Sequence, residues 1–198
     1  MWNLDKQTAL VTGGTKGIGK ATVLEFLKLG AKVLFAARNE KEVRDLEKEL
    51  RLAKFDVTGL AADVSEKKDR EEIFLWIEEN WKTLDILVHN AGINIRKQAL
   101  DYSEDEFLKI LNINLNSPFE LSRKLYPFLN NSKVATVINV ASVAAFQDVG
   151  TGTPYAMAKA GLLQQTRSLA VEWAPAGIRV NAVSPWITEK PLTEGLLS

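Results

Sequence analysis

The stretch QTALVTGGTKGIGKATVLEFLKL, residues 7–29, decides the fold. Its apolar start at residues 7–12 predicts a strand, its glycines predict a tight turn, and the amphipathic pattern of residues 21–29 predicts a helix. Glycines let the backbone approach a pyrophosphate closely, and the N-terminus of the following helix offers unpaired N–H groups and a partial positive charge. The stretch therefore predicts an anion-binding turn between a first strand and a first helix.

The spacing of the glycines indicates which class of nucleotide-binding turn this stretch would form. The turn has the pattern Gly-x3-Gly-x-Gly, which is neither the Gly-x-Gly-x-x-Gly fingerprint nor a P-loop with its Gly-Lys-Ser/Thr ending. This pattern disfavours a nucleotide triphosphatase. The alternative is a tight turn that serves the fold alone. The candidate cofactor-binding residues of the turn are Gly13, Thr15, Lys16, Gly17, Ile18 and Gly19.

The rest of the chain alternates between apolar runs and amphipathic stretches. Residues 84–88 (LDILV) have no polar side, which is typical of a parallel sheet covered on both faces. A capping box of Ser103 and Glu106 predicts the start of a long helix, and a further helix is predicted over residues 155–173. The alternation predicts a single α/β domain over residues 1–198, with a doubly wound, Rossmann-like parallel sheet. The other predicted strands are residues 32–37, 55–62, 134–141 and 178–183.

Composition argues against several classes of site and partner. The chain has 198 residues, 25 basic and 25 acidic side chains, no cysteine and a single histidine, His89. The lack of cysteine excludes disulfides and thiolate metal sites, and one histidine argues against a metal site. Zero net charge argues against nucleic acid as a partner. There is no signal-peptide pattern and no apolar run long enough to span a membrane, so we expect a cytoplasmic protein without a membrane partner.

The end of the second predicted strand indicates which dinucleotide the turn would bind. NAD enzymes commonly place a carboxylate there for the ribose 2′-hydroxyl, whereas NADP enzymes supply an arginine to the 2′-phosphate. Residues 36–38 read AAR, so Arg38 stands where a carboxylate would favour NAD, and Lys16 adds a second positive charge. The sequence therefore predicts NADP(H) rather than NAD(H). The alternative is that Arg38 is a surface residue paired with Glu40 or Glu42.

A second stretch, SVAAFQDVGTGTPYAMAK at residues 142–159, carries candidate catalytic residues. Tyr155 and Lys159 are four residues apart and therefore lie on one face of a helix. A nearby ammonium stabilises a phenolate, which suits a tyrosine that serves as general acid for a ketone. Ser142 ends an apolar run and is placed to donate a hydrogen bond to the same substrate oxygen. The alternatives are a chance Tyr–Lys spacing and a serine that only ends a strand.

Together these motifs resemble the short-chain dehydrogenase/reductase family over nearly the whole chain. The matching motifs occur in family order and at family-like spacing, and the resemblance implies an oxidoreductase with a nicotinamide dinucleotide cofactor. The motifs are residues 12–19, Asp63-Val64, Asn90-Ala91-Gly92, Asn114, Ser142, Tyr155, Lys159 and Pro185.

The resemblance implies cofactor-binding roles outside the glycine turn. Asp63 would accept a hydrogen bond from the adenine amino group, and Val64 would line the adenine pocket. The Asn90-Ala91-Gly92 segment would form the adenosine-side turn and steady the central sheet, and Pro185 follows the sixth strand as a further candidate contact. Taken alone, Asp63 is also typical of a residue that caps the next helix.

The resemblance implies catalytic roles as well. Tyr155 would be the acid in reduction and the base in oxidation, while Lys159 would lower its pKa and hold the nicotinamide ribose. Ser142 would orient the substrate carbonyl. Asn114 would hold a water that links Lys159 to solvent; alternatively it is a polar interruption of a helix. The implied activity is NADPH-dependent reduction of a small-molecule ketone or other carbonyl to a secondary alcohol.

The chain departs from the family pattern at three places. His89 gives HNAG instead of NNAG, and we expect this histidine to be structural. Trp186 replaces a usual glycine, and Lys190 stands where the family often has a threonine, with Thr188 two residues earlier. Third, residues 184–198 resemble the start of a substrate lid, and the C-terminal helix and seventh strand of the family do not follow. We expect a truncated chain rather than an inactive protein.

Two further stretches indicate a branch within the family. YPFL at residues 126–129 and SLAVEWAPAGIRVNAVSPW at residues 168–186 are similar to the tropinone-reductase-like branch. One alternative activity is that of a 3-oxoacyl-carrier-protein reductase, because such enzymes share the overall pattern. Another alternative, from a different class, is a catalytically silent NADP-binding regulator or scaffold.

Few residues in the sequence indicate the substrate or the oligomeric state. Loops 93–102 and 143–153 would line the substrate pocket. Arg96 and Lys97 in the first loop favour an anionic substrate or, alternatively, are solvated charges. The helices around residue 114 and after residue 155 are those that pair in the family, so the resemblance implies a homodimer or homotetramer.

Overall fold

One parallel sheet organises residues 3–186, which are the residues described in this computed structural model. The six strands of this part are Thr8–Thr12 (β1), Lys32–Ala37 (β2), Val57–Ala61 (β3), Ile86–His89 (β4), Thr136–Val140 (β5) and Arg179–Val183 (β6). Their order across the sheet is β3-β2-β1-β4-β5-β6, and all neighbours pair in parallel. This is the strand order of a doubly wound dinucleotide-binding fold, so the predicted fold class is confirmed.

Helices connect the strands and cover both faces of the sheet. None of the helices within residues 3–186 is long and apolar enough to cross a membrane. Short 3₁₀ turns occur at Ala99–Asp101, Val143–Ala145 and Ala174–Ala176. The α-helices are Gly17–Lys28 (α1), Glu40–Leu52 (α2), Lys67–Asn80 (α3), Glu104–Leu111 (α4), Ser117–Asn130 (α5) and Thr153–Glu172 (α6).

Each face of the sheet carries its own apolar core, because successive residues of a strand point to opposite faces. On β1, Leu10 packs in the core that includes α3 and α5, whereas Ala9 and Val11 pack in the core that includes α1 and α2. All residues of β1 are buried. A strand in this position must be apolar throughout, which explains the uninterrupted run at the start of the chain.

The long helix predicted from Ser103 is interrupted, although its predicted start is confirmed. Ser103 Oγ accepts a hydrogen bond from the backbone N–H of Glu106 at 3.2 Å, and the Glu106 carboxylate accepts one from the Ser103 N–H at 3.0 Å. A π-helical segment, Asn112–Asn116, then separates α4 from α5. Such a segment inserts one extra residue per turn and is frequent at functional sites. It places Asn114 in the interior, where its side chain is fully buried.

Several predicted element boundaries are wrong by a few residues. β3 is shorter than the predicted 55–62, and β4 begins at Ile86 rather than at residue 84. The backbone N–H of Leu84 donates to the carbonyl of Phe128 in α5, at 3.0 Å, instead of to a strand. Apolar character extends beyond the residues that pair, and hydrogen bonds decide where a strand ends.

The sheet has a switch point between β1 and β4. The chain runs from β1 outward to β2 and β3 on one side, and from β4 outward to β5 and β6 on the other. The connections therefore diverge and leave a crevice at the carboxyl ends of β1 and β4, which is where ligands bind in open α/β sheets.

Candidate active site

Two glycines shape the turn between β1 and α1. Gly13 has a φ of 68°, a left-handed value that side-chain-bearing residues rarely adopt. A Cβ on Gly19 would lie 2.1 Å from the carbonyl oxygen of Gly13 and 2.4 Å from Nδ2 of Asn90. The turn therefore has no room for larger residues at these positions, and its backbone can approach a ligand closely.

Asn90 fastens the end of β4 to this turn. Its Nδ2 donates hydrogen bonds to the carbonyl oxygens of Thr12 and Gly13, at 3.0 and 3.1 Å. The backbone N–H groups of Asn90 and Ala91 both donate to Thr12 Oγ1 at 3.1 Å. The two sides of the switch point are thus held together by the side chains of the last residue of β1 and the first residue after β4.

A cleft of about 650 Å³ opens at the carboxyl ends of the first four strands. Gly17, Ile18 and Gly19 form the first turn of α1 immediately after the glycine turn. The structure therefore brings most of the predicted cofactor residues to one place. Those that line the cleft are Gly13, Thr15, Lys16, Arg38, Asp63, Val64, Ala91 and Gly92.

The cleft fits the pyrophosphate and adenosine parts of a dinucleotide. The first turn of α1 contains no acidic residue, and Lys16 at its N-cap makes no side-chain capping bond. The N–H groups of that turn therefore suit an anion, which the helix dipole also favours. A Cβ on Gly13 or Gly19 would clash with Asn90, so the turn keeps this shape only with glycine at both positions. Ala36, Ala62 and Val64 add apolar surface to the cleft.

Glu42, a residue of the cleft that the sequence analysis did not single out as a site residue, pairs with Lys16. The Lys16 Nζ atom is 2.8 Å from Glu42 Oε1, which also accepts a hydrogen bond from Asn39 Nδ2 at 3.0 Å. Thr15 Oγ1 donates to Glu42 Oε2 at 3.4 Å. The spacing Asn39-x-x-Glu42 resembles a capping box, in which the third helical residue reaches back toward the cap, and this signal could have found Glu42.

Arg38 lines the same cleft and faces Asp63. The Arg38 NH1 atom is 4.0 Å from Asp63 Oδ2. The alternative pairing of Arg38 with Glu40 is not adopted among the described residues, where Glu40 pairs with Arg44. The arginine therefore extends into the cleft at the end of β2, at the position where the sequence analysis expected a contact to a 2′-phosphate.

Asp63 is held by hydrogen bonds from the segment that leads into α3. Its Oδ1 accepts hydrogen bonds from the N–H and the Oγ of Ser65, at 2.9 and 2.7 Å, and its own N–H donates to Asp69 Oδ2 at 2.7 Å. The N-cap of α3 is Glu66, so Asp63 forms a turn before the helix and does not cap it. Because Asp63 also lines the cleft, its contact to adenine stays a prediction.

The candidate catalytic side chains converge beyond the end of β5. Ser142 lies two residues after β5, and Tyr155 and Lys159 lie one turn apart on α6. Tyr155 is 9% exposed and Lys159 is 4% exposed. The Lys159 Nζ atom donates a hydrogen bond to the carbonyl oxygen of Val140 at 2.7 Å and lies 5.7 Å from the centroid of the Tyr155 ring. The predicted one-face arrangement is present.

Three effects act on the pKa of Tyr155. Burial, the largest, raises the pKa because it disfavours the phenolate. A side-chain hydrogen bond with Ser142 and the positive charge of Arg96 both lower the pKa. The hydroxyl is therefore protonated at neutral pH, which is the state a general acid needs.

Asn114 connects this group to the cleft. Its Nδ2 donates to the carbonyl oxygens of Ile93 and Ile110, both at 2.9 Å, and its Oδ1 accepts from the Ile93 N–H at 3.2 Å. A Cβ on Gly92 would lie 2.7 Å from Asn114 Oδ1 and 3.7 Å from Lys159 Nζ. Gly92 is thus the meeting point of the cofactor cleft and the candidate catalytic residues. The water relay through Asn114 stays a prediction.

His89 is buried behind this site. Its Nε2 lies 2.7 Å from Ser122 Oγ on α5. Burial, and to a lesser degree the positive charge of Lys159, lower the pKa of His89 to about 3. The imidazole is therefore neutral and joins β4 to α5, in agreement with the structural role expected of it.

The two charged residues of loop 93–102 differ in their surroundings. Lys97 Nζ is 2.6 Å from Glu106 Oε1, so its charge is paired on the outside of the loop. Tyr102 Oη donates to the carbonyl of Ile95 at 2.5 Å and accepts from the Lys97 N–H at 3.2 Å. These bonds fix the backbone on both sides of Arg96, whose charge acts on the Tyr155 hydroxyl.

The segment after β6 reaches the same region. The carbonyl oxygen of Pro185 accepts a hydrogen bond from the Val143 N–H at 3.3 Å, next to Ser142. Trp186 is exposed. Thr188 and Lys190 lie outside the described residues. Within residues 3–186, no group of three or more His, Cys, Asp or Glu side chains is arranged to hold a metal ion.

Comparison with known proteins identifies the family. The family model of the short chain dehydrogenases matches residues 7–197. A tropinone reductase homolog of Arabidopsis thaliana is 40% identical over 197 residues, which make up 99% of this chain and 75% of that protein. The chain therefore belongs to the short-chain dehydrogenases, a family of NAD(P)-dependent oxidoreductases. Within that family it is similar to the tropinone-reductase-like branch.

Solved structures agree with this assignment. The gluconate 5-dehydrogenase of Burkholderia cenocepacia J2315, solved in complex with NADP and tartrate, is 27% identical and superposes with a TM-score of 0.93, covering 100% of this chain and 77% of that one. The Pseudomonas aeruginosa RhlG/NADP active-site complex is 31% identical, with a TM-score of 0.91, 99% coverage of this chain and 78% of that one. These neighbours support a nicotinamide dinucleotide as the cofactor.

Proposed function

We propose that the protein is an NADPH-dependent reductase of a small-molecule ketone, which it converts to a secondary alcohol. The observation that carries the proposal is the convergence of Ser142, Tyr155 and Lys159 at the end of a cleft that fits a dinucleotide. Arg38 and Lys16 support NADPH over NADH, because both place positive charge in the cleft, Arg38 directly after β2 and Lys16 in the glycine turn.

The cofactor would lie with its pyrophosphate on the glycine turn and the first turn of α1. Gly13, Gly17, Ile18 and Gly19 would supply the backbone contacts, and Asp63 and Val64 would meet the adenine. Gly92 would mark the passage to the nicotinamide end, since it adjoins both Asn114 and Lys159. When bound, NADPH supplies the hydride for carbonyl reduction.

The chain's own residues would supply the proton and orient the carbonyl. Tyr155 is protonated at neutral pH and would protonate the developing alkoxide. Ser142 would donate a hydrogen bond to the same oxygen and so stabilise its charge. Lys159, held on the Val140 carbonyl, would stabilise the phenolate that forms when Tyr155 gives up its proton.

A second copy of the chain would cover the groove between α5 and α6. The groove is lined in part by Leu115, Phe119 and Leu169. Both polar atoms of the Gln165 side chain are buried there and have no hydrogen-bond partner among the described residues. Phe119→Glu should turn a dimer into a monomer in light scattering, whereas Val134→Glu, an exposed apolar position outside the groove, should not.

A cytoplasmic location is also proposed, because the sequence has no signal-peptide pattern. Cell fractionation tests it.

Turnover tests the proposed reaction. Loss of NADPH absorbance is followed with a panel of small ketones for the wild type and Tyr155→Phe, after mass spectrometry of the sample. We expect Tyr155→Phe to lower turnover by about 100-fold or more, since it removes the general acid. Tyr126→Phe is the matched control, because Tyr126 packs on Trp173 with ring centroids 5.1 Å apart, away from the site.

The result also separates the proposal from its alternative. Turnover that disappears in Tyr155→Phe and persists in Tyr126→Phe supports the reductase. Tight NADPH binding by the wild type without turnover of any ketone would support a silent cofactor-binding protein instead.

A further inference from the structure

The carboxylate of Glu42 lies in the part of the cleft where an NADP enzyme needs positive charge. Glu42 is in the first turn of α2 and lines the cleft with Lys16 and Arg38. Three side chains donate to its carboxylate: Lys16 at 2.8 Å, Asn39 at 3.0 Å and Thr15 at 3.4 Å. The carboxylate is therefore held in place from three directions and does not extend freely into solvent.

This arrangement changes the charge that a cofactor meets. Lys16 and Arg38 are the cationic residues of the cleft lining. Lys16 is paired closely with a carboxylate, at 2.8 Å, whereas the Asp63 carboxylate lies 4.0 Å from Arg38. A ribose 2′-phosphate brings a second anion to the end of β2, next to Glu42. Two anions that share one ammonium repel each other, so the favourable contact of the phosphate with Lys16 is partly offset.

We propose that Glu42 limits the preference of this protein for NADPH over NADH by acting as the built-in anionic partner of Lys16. When the cofactor has a 2′-hydroxyl, Glu42 keeps Lys16 paired and no cation is left without an anion. When the cofactor has a 2′-phosphate, Glu42 competes with it for the ammonium. The selectivity then rests mainly on Arg38, whose nearest carboxylate among the described ion pairs is 4.0 Å away.

This inference rests on the proposed use of a nicotinamide cofactor, but it concerns affinity rather than turnover. Its test is therefore direct binding of NADPH and NADH, measured by titration calorimetry or by nicotinamide fluorescence. Glu42→Gln keeps one oxygen that can accept from Asn39, replaces the other by an NH2 group and removes the negative charge. The helix start is preserved, because the Glu42 backbone N–H, at 3.1 Å from Asn39 Oδ1, is unchanged.

Glu40→Gln is the matched control. Glu40 is also in the first turn of α2, and its substitution changes the net charge by the same amount. It pairs with Arg44 and does not line the cleft. An effect of general charge would appear in both variants, whereas an effect through Lys16 would appear only in Glu42→Gln.

We expect Glu42→Gln to raise the dissociation constant of NADH, divided by that of NADPH, by about fivefold. The preference for NADPH would then increase by an amount that a solvent-exposed ion pair can supply. The rise should shrink at high salt and should be lost in the Lys16→Gln background. An unchanged or smaller ratio in Glu42→Gln, or an equal rise in Glu40→Gln, would overturn the inference. Failure of the wild type to bind either cofactor would instead overturn the proposed function, on which the inference depends.

Discussion

The Nζ atom of Lys159 donates a hydrogen bond to the carbonyl oxygen of Val140, at a distance of 2.7 Å. This bond joins α6 to the last residue of β5 and places a buried ammonium 5.7 Å from the centre of the Tyr155 ring. The end of the central sheet therefore positions a charge beside Tyr155, where the proposed reaction would develop a phenolate. A lysine on the same helix face without this strand contact would be free to turn away.

Lys159→Met should lower turnover by about 100-fold or more, because the phenolate of Tyr155 loses its nearby positive charge. The melting temperature of this variant should stay close to that of the wild type. Removing the ammonium leaves the Val140 carbonyl without this donor, but it also removes the cost of burying a charge, so the two effects on stability oppose each other. Arg167→Met, an exposed cation on the same helix, serves as control. Turnover of Lys159→Met within about tenfold of the wild type would contradict the assigned role.

Gly19→Ala should destabilise the protein and prevent dinucleotide binding. The added Cβ would lie 2.1 Å from the Gly13 carbonyl oxygen, and this backbone cannot move without opening the turn. We expect a loss of about 1–3 kcal/mol in the free energy of unfolding, measured by urea denaturation. In Gly161→Ala the new Cβ meets only the flexible side chain of Leu115, at 2.9 Å. An equal loss in both variants would contradict the special role of the turn.

The order of strands and helices could be predicted from the sequence because it depends on short-range periodicity. The apolar run of β1 and the i,i+4 spacing of Tyr155 and Lys159 carry their structural meaning within a few residues. The π-helical segment around Asn114 could not be predicted in this way, because it is defined by i→i+5 backbone hydrogen bonds, which an apolar pattern does not record. Asn114 was found only through the family resemblance.

Contacts between residues far apart in the sequence could not be predicted either. The pairing of Lys16 with Glu42 spans 26 residues and depends on how α2 packs against the glycine turn. From the sequence, Glu42 was a candidate partner of Arg38, since the two residues are close along the chain. The structure instead turns Arg38 toward Asp63. Local spacing identifies candidate ion pairs, and tertiary packing chooses among them.

His89→Asn should make the stability of the protein less sensitive to acid. The pKa of His89 is lowered from 6.5 to about 3 by burial and by Lys159, so the unfolded chain binds a proton in this range that the folded chain does not. Stability is therefore fully present above pH 6.5 and is lost as pH falls toward 3. At about pH 4 the loss due to this group is about 3 kcal/mol.

The measurement is urea denaturation of the wild type and His89→Asn at neutral and acid pH. His89 is the single histidine of the chain, so the difference between the two pH dependences isolates it. The substitution also changes packing beside Ser122, but that effect is the same at every pH. Parallel pH dependences would show that the pKa of His89 is not lowered in the folded protein.

Arg96→Gln should move the alkaline limb of the reduction profile to higher pH. In the proposed reduction Tyr155 must be protonated, so the rate should fall as pH rises through the pKa of Tyr155. The positive charge of Arg96 lowers this pKa, and its removal raises the pKa and extends activity toward alkaline pH. Because Arg96 is exposed, the shift should be small and should shrink with added salt. Lys97→Gln is the control, since its charge is already paired with Glu106, and a shift of equal size in that variant would contradict a specific effect of Arg96.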